Sequence, residues 1–348
     1  MHLSADFGNT VKMIEEDGFP ISQRVEMLLP SDSPESIAKS MGRGVTGFAE
    51  AFGQSRPDIL IVLGDRFEMH SAALAALPFK IPVAHIHGGE LTEGAIDDAL
   101  RHSITKLSHL HFVSTDEHAR RVIQLGEEPW RVTNCGALGL DNLRSIRLLD
   151  KDELENKYAL NLESPPLLVT FHPATLDDEE AGEQAEELFS AVENSGLPAV
   201  FTLPNADTGG RAIGAKTREF VKHTSRAWMV DNFGTQGYFS MMRLAAAMVG
   251  NSSSGIIEAA SFKLPVVNVG DRQGGRIRGA NVIDVSCHRK EISNGIAQAV
   301  TTSFRESLSQ LVNPYGSGHA APAIVEKLKT VTLDQKLIVK RFHDVAMR

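Results

Sequence analysis

Short runs of β-branched and other apolar residues recur along the chain, separated by longer stretches with the apolar period of an amphipathic helix. That pattern predicts parallel sheets with helices on both faces. In the first half the strand candidates are Val25–Pro30, Asp58–Leu63, Ile81–His87, Leu110–Ser114 and Arg131–Asn134. In the second half they are Leu167–Phe171, Ala199–Leu203, Ala227–Val230, Ala245–Val249 and Pro265–Val269. Each half reads as an open doubly wound unit. The alternation breaks in the polar stretch Leu149-Asp-Lys-Asp-Glu-Leu-Glu-Asn-Lys157 and at Glu163-Ser-Pro-Pro166, which predicts a hinge there, with one domain over 1–155 and a second over 156–348. The C-terminal segment reads as a helix crossing back over the first domain. The opening Met1-His-Leu-Ser-Ala-Asp-Phe-Gly-Asn-Thr10 reads as a loop running into a helix, so a first strand and its phosphate-facing loop are expected to be missing from the N-terminal domain.

The chain of 348 residues is long enough for two domains, and its apolar and charged fractions are those of a globular protein. A net charge of −9 supplies no basic field for nucleic acid or anionic lipid, so neither is an expected partner and a small molecule is. Two cysteines, Cys135 and Cys287, stand far apart without metal-ligand spacing, as expected in a reducing cytoplasm. No apolar run approaches the roughly 20 residues of a membrane span, and no signal peptide is recognisable at the N-terminus. A cytoplasmic location is expected.

Gly250-Asn-Ser-Ser-Ser-Gly255 lies between the apolar Ala245–Val249 and the helical-looking Ile256-Ile-Glu-Ala-Ala-Ser261. A buried strand that ends in glycine and hydroxyl residues, then turns into a helix, presents backbone N–H groups and the positive end of the helix dipole to an anion. This predicts a diphosphate cradle at Ser252 and Ser253, with Glu258 placed to accept the hydroxyls of a ribose. An ordinary serine N-cap has the same composition. Asp271-Arg272, at the end of the next strand, adds a cation beside the first loop and favours a nucleotide diphosphate.

Gly64-Asp-Arg66 follows the strand Ile59–Leu63, making Asp65 a candidate base and Arg66 a candidate phosphate clamp; an N-cap Asp beside a solvated Arg reads equally well. The next strand ends in His85-Ile-His-Gly-Gly-Glu90, where alternation places His85 and His87 on one face and the glycines permit close backbone approach. A metal reading would join these histidines to Glu90, but no third ligand at suitable spacing is evident and no metal is expected. In Gly94-Ala-Ile-Asp-Asp-Ala-Leu-Arg-His102 the helical positions of Asp98, Arg101 and His102 are adjacent, so Arg101 can hold an acid ionised. First-turn acids that complement the helix dipole explain the same composition. Phe171-His-Pro-Ala174 closes the first strand of the second half, and His172 is expected to face Asp65 and Asp98 across the hinge as an acid/base group. Asn205 sits in a polar loop at another strand end, and Phe233 is a candidate to pack on a nucleobase.

Together, Phe7-Gly-Asn-Thr10, Gly64-Asp-Arg-Phe67, His85-Ile-His-Gly-Gly-Glu90, Ile96-Asp-Asp-Ala-Leu-Arg-His102, Ser108-His-Leu-His-Phe112, Phe171-His-Pro173, Pro204-Asn205, Gly250-Asn-Ser-Ser253 and Gly270-Asp-Arg272 resemble the UDP-N-acetylglucosamine 2-epimerase family, in particular its hydrolysing branch in sialic-acid-type sugar synthesis. The resemblance covers nearly the whole chain. It implies two Rossmann-like domains in a glycosyltransferase-B-like arrangement, with the active site in the interdomain cleft, a nucleotide-sugar substrate and a homo-oligomer. By position, Arg66, Asn205, Phe233, Ser252, Ser253, Glu258 and Arg272 would contact UDP, and Asp65, Asp98 and His172 would be catalytic. Two departures stand out. The family commonly has a glutamate where this chain has His87, which leaves His87 or Glu90 to supply that acid/base function. The family's N-terminal strand, with its Arg-containing loop, is also expected to be absent.

The implied reaction is anti-elimination of UDP to a 2-acetamidoglucal, then hydration to N-acetylmannosamine. Neither step calls for a metal or a redox cofactor. Within the same family, a 2,4-diacetamido-trideoxyhexose nucleotide of the legionaminic-acid type is an alternative substrate. Glycosyl transfer from a UDP-sugar, or nucleotide-sugar binding without turnover, would keep the architecture and change the outcome.

Overall fold

The computed structural model describes residues 2–4, 9–31, 33–92, 96–172, 178–203 and 210–346. The chain forms two compact units, Met1–Gly136 with Ala321–Arg348, and Ala137–Ala320. Each unit is built on its own parallel sheet. Among the described residues no helix is long and apolar enough to cross a membrane.

In the first unit, β1 (Leu60–Leu63), β2 (Val83–Ile86), β3 (Leu110–Val113) and β4 (Val132–Asn134) pair in chain order. Val62, Ile81 and Val83 pack with Phe52, Ala73, Ala76 and Ile104 from the flanking helices. The expected strand Val25–Pro30 does not form. Instead Met27 and Val25 lie across the helix Pro34–Gln54, so close that a Cβ on Gly44 would come 2.5 Å from Met27 Cε and one on Gly47 would come 2.6 Å from Val25 Cγ1. The Leu29 N–H bonds to Ser40 Oγ at 3.0 Å rather than to a sheet neighbour. The apolar residues of this stretch serve a helix crossing, which has the same composition as a buried strand.

The C-terminal segment belongs to this unit and is fastened by Arg131 and Lys340. Arg131, 1% exposed, donates to the carbonyls of Leu337 (2.8 Å), Lys336 (3.0 Å) and Val339 (3.3 Å), and also to His109 O and Glu128. Lys340 reaches Glu127 (2.8 Å) and the carbonyls of Lys106 and Ser108. The expected C-terminal helix is a helix Ala320–Thr330, a short helical turn Gln335–Ile338, and then a strap without regular structure.

In the second unit β5 (Leu167–Thr170), β6 (Ala199–Thr202), β7 (Ala227–Val230), β8 (Ala247–Gly250), β9 (Val266–Val269) and β10 (Val282–Val285) are ordered β10-β9-β8-β5-β6-β7. The period of two is plain along β5. Leu167 and Val169 join Phe201, Leu188 and Ile292 on one face, while Leu168 joins Val200, Met248 and Phe239 on the other. The stretch 149–166, expected to be the hinge, lies inside this unit. Asp150 and Glu153 form a reciprocal capping box on the helix Lys151–Tyr158, and Leu149 and Leu154 enter the core. Its polarity is that of a surface helix held by one apolar stripe, not of a linker.

The chain leaves β5 toward β6 and β7, then returns to β8 on the opposite side. The carboxyl ends of β5 and β8 therefore flank a topological switch point, where open α/β sheets bind ligands. Thr170 pairs with Gly250 at this spot. Gly250 has φ +132°, and a Cβ there would overlap the Thr170 carbonyl, so only glycine lets the strands close.

Candidate active site

At the switch point, Phe171 and His172 continue from β5, and Asn251 and Ser252 from β8. Asn251 is buried, and its amide holds both peptide groups of His172, accepting from His172 N–H at 2.7 Å and donating to His172 O at 2.8 Å. The carbonyl of the same Asn251 accepts from Arg272 (3.1 Å) and Gln273 (2.8 Å), which follow β9. One residue thus fixes three strand ends. A cavity of about 250 Å³ opens there, lined by Thr170, His172, Tyr238, Ser252, Ser253 and Arg272 among others. Ser252 caps the helix Ser253–Ile257 by accepting from Ser254 N–H. That helix is shorter than the sequence pattern suggested, and Glu258, half-buried, is its last cap before a 3₁₀ turn. Burial raises the pKa of Tyr238, against hydrogen bonds from Thr170, Ser252 and Ser254, and the Glu258 charge adds to the rise.

Phe233 is placed differently from the expectation of a stacking platform. Its ring is 5% exposed, set edge-on to Tyr158 with centroids 4.7 Å apart, and its carbonyl accepts from Tyr158 Oη at 2.6 Å. That ring packs the core. Asn205 lies outside the described residues, as do Phe7, Gly8, Pro173 and Pro204 of the motifs.

In the first unit Arg101 gathers the acids. It is 3% exposed, pairs with Asp65, donates to Glu90 O and Thr92 Oγ1 at 2.9 Å each, and lies 3.8 Å from Asp98. Asp98 also accepts from Thr92 N–H at 2.8 Å and faces His102 at 3.5 Å. Burial raises the pKa of Asp97, and the charge of Asp65 adds to the rise. Arg66 is the N-cap residue of the helix Phe67–Ala76, with its guanidinium 3.7 Å from Glu68.

His85 and His87 are committed to different partners, so they do not form the pair that strand alternation suggested. β2 ends at Ile86, and His87 takes a left-handed φ of +67°. His87 Nδ1 lies 2.7 Å from Glu90 Oε1. His85, fully buried, meets Gly64 O at 2.8 Å and Thr105 at 3.2 Å, and desolvation lowers its pKa to about 3. A neutral His85 therefore donates from Nε2 to the carbonyl just before Asp65. Among the described residues no three His, Cys, Asp or Glu side chains are placed to hold a metal ion.

In the first unit Asp65 and Asp98 thus meet at Arg101, which also holds the backbone carbonyl of Glu90, and His87 pairs with the Glu90 carboxylate; in the second, His172, Ser252, Ser253 and Arg272 line one cavity. Sequence reasoning missed Asn251, Arg101's hub role and Tyr238. Asn251 stands in Gly250-Asn-Ser-Ser253, and its signal there is an amide that can both donate and accept beside a glycine.

A sequence profile described as UDP-N-acetylglucosamine 2-epimerase matches residues 1–329. The chain is 39% identical over 347 residues to a GDP/UDP-N,N'-diacetylbacillosamine 2-epimerase (hydrolyzing) of Campylobacter jejuni subsp. jejuni serotype O:2, covering 99% of this chain and 89% of the relative. It is 38% identical to polysialic acid biosynthesis protein P7 of Escherichia coli, covering 99% and 88%. The fold is similar to the crystal structure of a UDP-GlcNAc 2-epimerase from Neisseria meningitidis bound to UDP-GlcNAc, with TM-score 0.78 at 19% identity over 92% of this chain and 88% of that one.

Proposed function

The chain belongs to the UDP-N-acetylglucosamine 2-epimerase family, and we propose that it is a hydrolysing 2-epimerase of a UDP-linked 2-acetamido sugar. The cavity at the switch point of the second unit carries this reading, because serine hydroxyls, an arginine and His172, whose backbone is clamped, meet there as a diphosphate leaving group requires. In this reading Ser252, Ser253 and Arg272 bind the diphosphate, Glu258 the ribose, and Arg66 and Asn205 complete the nucleotide contacts. Phe233 contributes through its place in the core beside Tyr238.

The reaction proceeds in two balanced steps. A base removes the proton at sugar C2 while the C1–O bond to UDP breaks, with the electron pair leaving on the diphosphate. Water then adds to C1 of the resulting glycal, and an acid delivers a proton to the opposite face of C2. Asp65, Asp98, His87, Glu90 and His172 are the acid/base candidates, and Arg101 pairs with Asp65 and lies 3.8 Å from Asp98 in the first unit. Relatives named for diacetylbacillosamine, at 39% and 36% identity, favour a 2,4-diacetamido sugar. UDP-N-acetylglucosamine is the second reading, favoured by a 32% identical Neisseria meningitidis relative named for it.

The test is incubation of the protein with each nucleotide sugar in D₂O, following UDP by chromatography and the sugar by NMR. Free 2-epimer with one deuterium at C2 and stoichiometric UDP is expected. A product still linked to UDP, or sugar found only on an added acceptor, would overturn the proposal.

A further inference from the structure

Behind the His87–Glu90 pair lie two buried side chains to which no role has been assigned, Ser114 at the end of β3 and His118 in the helix Asp116–Gln124. Ser114 Oγ lies 3.0 Å from Glu90 Oε1 and 2.9 Å from His118 Nδ1. Glu90 Oε1 is also the atom 2.7 Å from His87 Nδ1. Proton counting orders these contacts. An ionised carboxylate only accepts, so the single hydroxyl proton of Ser114 goes to Glu90, and His118 must donate to Ser114 from Nδ1. Glu90 likewise accepts from His87 Nδ1–H, which leaves the lone pair of a neutral His87 on Nε2. The same helix holds the backbone of this turn. Arg121 donates to Gly89 O, and a Cβ on Gly89 would come 2.5 Å from His118 O.

We infer that Ser114 and His118 are positioning residues that act through Glu90, fixing the tautomer and orientation of His87 so that its Nε2 exchanges the proton with the sugar. The inference rests on the epimerase reading above, and it gives His87 the reacting atom and Glu90 a supporting one. The left-handed backbone at His87 is consistent with a side chain whose direction is set by its partners rather than by strand geometry. Burial holds His118 neutral, with its pKa lowered to about 4, so the donor order persists over the working range of pH.

Two measurements test this, one independent of activity. With the full chain labelled with ¹⁵N-histidine, His87 and His118 should both carry the proton on Nδ1, and Ser114→Ala should shift both sets of ring resonances. A His118 proton on Nε2, or no change at His87 in Ser114→Ala, overturns the relay whatever the substrate proves to be. In turnover, Ser114→Ala should lower kcat about tenfold or more and leave KM within about twofold. Its acid limb in kcat against pH should move upward, because a Glu90 relieved of one donor stabilises the His87 imidazolium more strongly. Ser114→Thr and His118→Asn keep the donors and should recover most of the rate. Unchanged kcat in Ser114→Ala, or a fall in kcat, KM and thermal midpoint together with the limb unmoved, would mean that these residues only pack. Absence of UDP release by the wild type would strike the epimerase reading instead, and leave the NMR result to decide the relay.

Discussion

His172 and Asn251 form a unit that single substitutions can take apart. His172→Ala is expected to abolish UDP release while UDP affinity stays within roughly tenfold, about 1.4 kcal/mol, because the backbone clamp does not depend on the imidazole. Calorimetry with UDP beside a turnover assay checks it, and turnover within a few-fold of wild type would remove His172 from the mechanism. Asn251→Ala removes the amide from both peptide groups of His172, at a cost of roughly 2–4 kcal/mol, and keeps the backbone carbonyl that Arg272 and Gln273 reach. Asn251→Asp should be no better, since an ionised carboxylate cannot donate to His172 O. Denaturant titration of both variants settles this, and an Asp variant as stable as wild type would deny the amide its two-sided role. Asp65, His172 and the serines could be singled out as candidates because they follow strands of a parallel sheet, and Asp98 because it stands three and four residues before Arg101 and His102 on one helix. Asn251, Ser114 and His118 were not, because their importance lies in which backbone atoms and side chains they meet.

Among the elements, the C-terminal strap is the most separable. Arg131→Met keeps much of the volume but leaves the carbonyls of Lys336, Leu337 and Val339 without their donor, a loss of roughly 3–5 kcal/mol local to the strap. Trypsin should then cut at Lys336, Lys340 or Arg341 well before the rest of the chain, as read by mass spectrometry. A cleavage order identical to wild type would show that the strap is held by other contacts. The strands of the second unit could be read because their Val, Leu and Phe runs are bounded by turns. β10, Val282-Ile-Asp-Val285, escaped although it has as many apolar residues as β9; it is a partly buried edge strand whose Asp284 pairs with Arg278 and Asn268. Val25–Pro30 misled for the opposite reason, since its buried apolar residues face a helix.

For the whole molecule, acid should separate the two units. His70, His85, His102, His109, His111 and His118 are held below the ordinary imidazole value and lie in the first unit, and burial is the leading cause for each. Unfolded imidazoles take protons below about pH 6.5 while these folded ones resist. Stability of the first unit therefore falls as pH drops from about 6.5 through about 4, the folded value of His109 and His118. Each such interval is worth ~3 kcal/mol. Glu127, held down at about 2 by His111, Lys106 and Lys340 despite its burial, keeps its contribution until pH drops below about 4.5, and so adds a later loss. Each unit carries one tryptophan, Trp130 in the first and Trp228 in the second. With Trp228→Phe and Trp130→Phe variants, the Trp130 signal should change at higher pH than the Trp228 signal. Coincident transitions would show that the buried histidines do not set the acid limit.

The contact between Gly250 and the Thr170 carbonyl also fixes how this sequence can vary. Every single-base change of a glycine codon that alters the residue introduces a Cβ, and at this position the Cβ collides with backbone, which no neighbouring side chain can relieve. Gly42 and Gly53, by contrast, have open space around the same atom and lie on the exposed face of the helix Pro34–Gln54, where an added methyl should be tolerated or mildly stabilising. In a saturation scan selected for folded protein, position 250 should admit no substitution, whereas positions 42 and 53 should admit many. The switch point of this chain is thus closed to gradual change, and variation in what its cavity holds must arise around that glycine rather than through it.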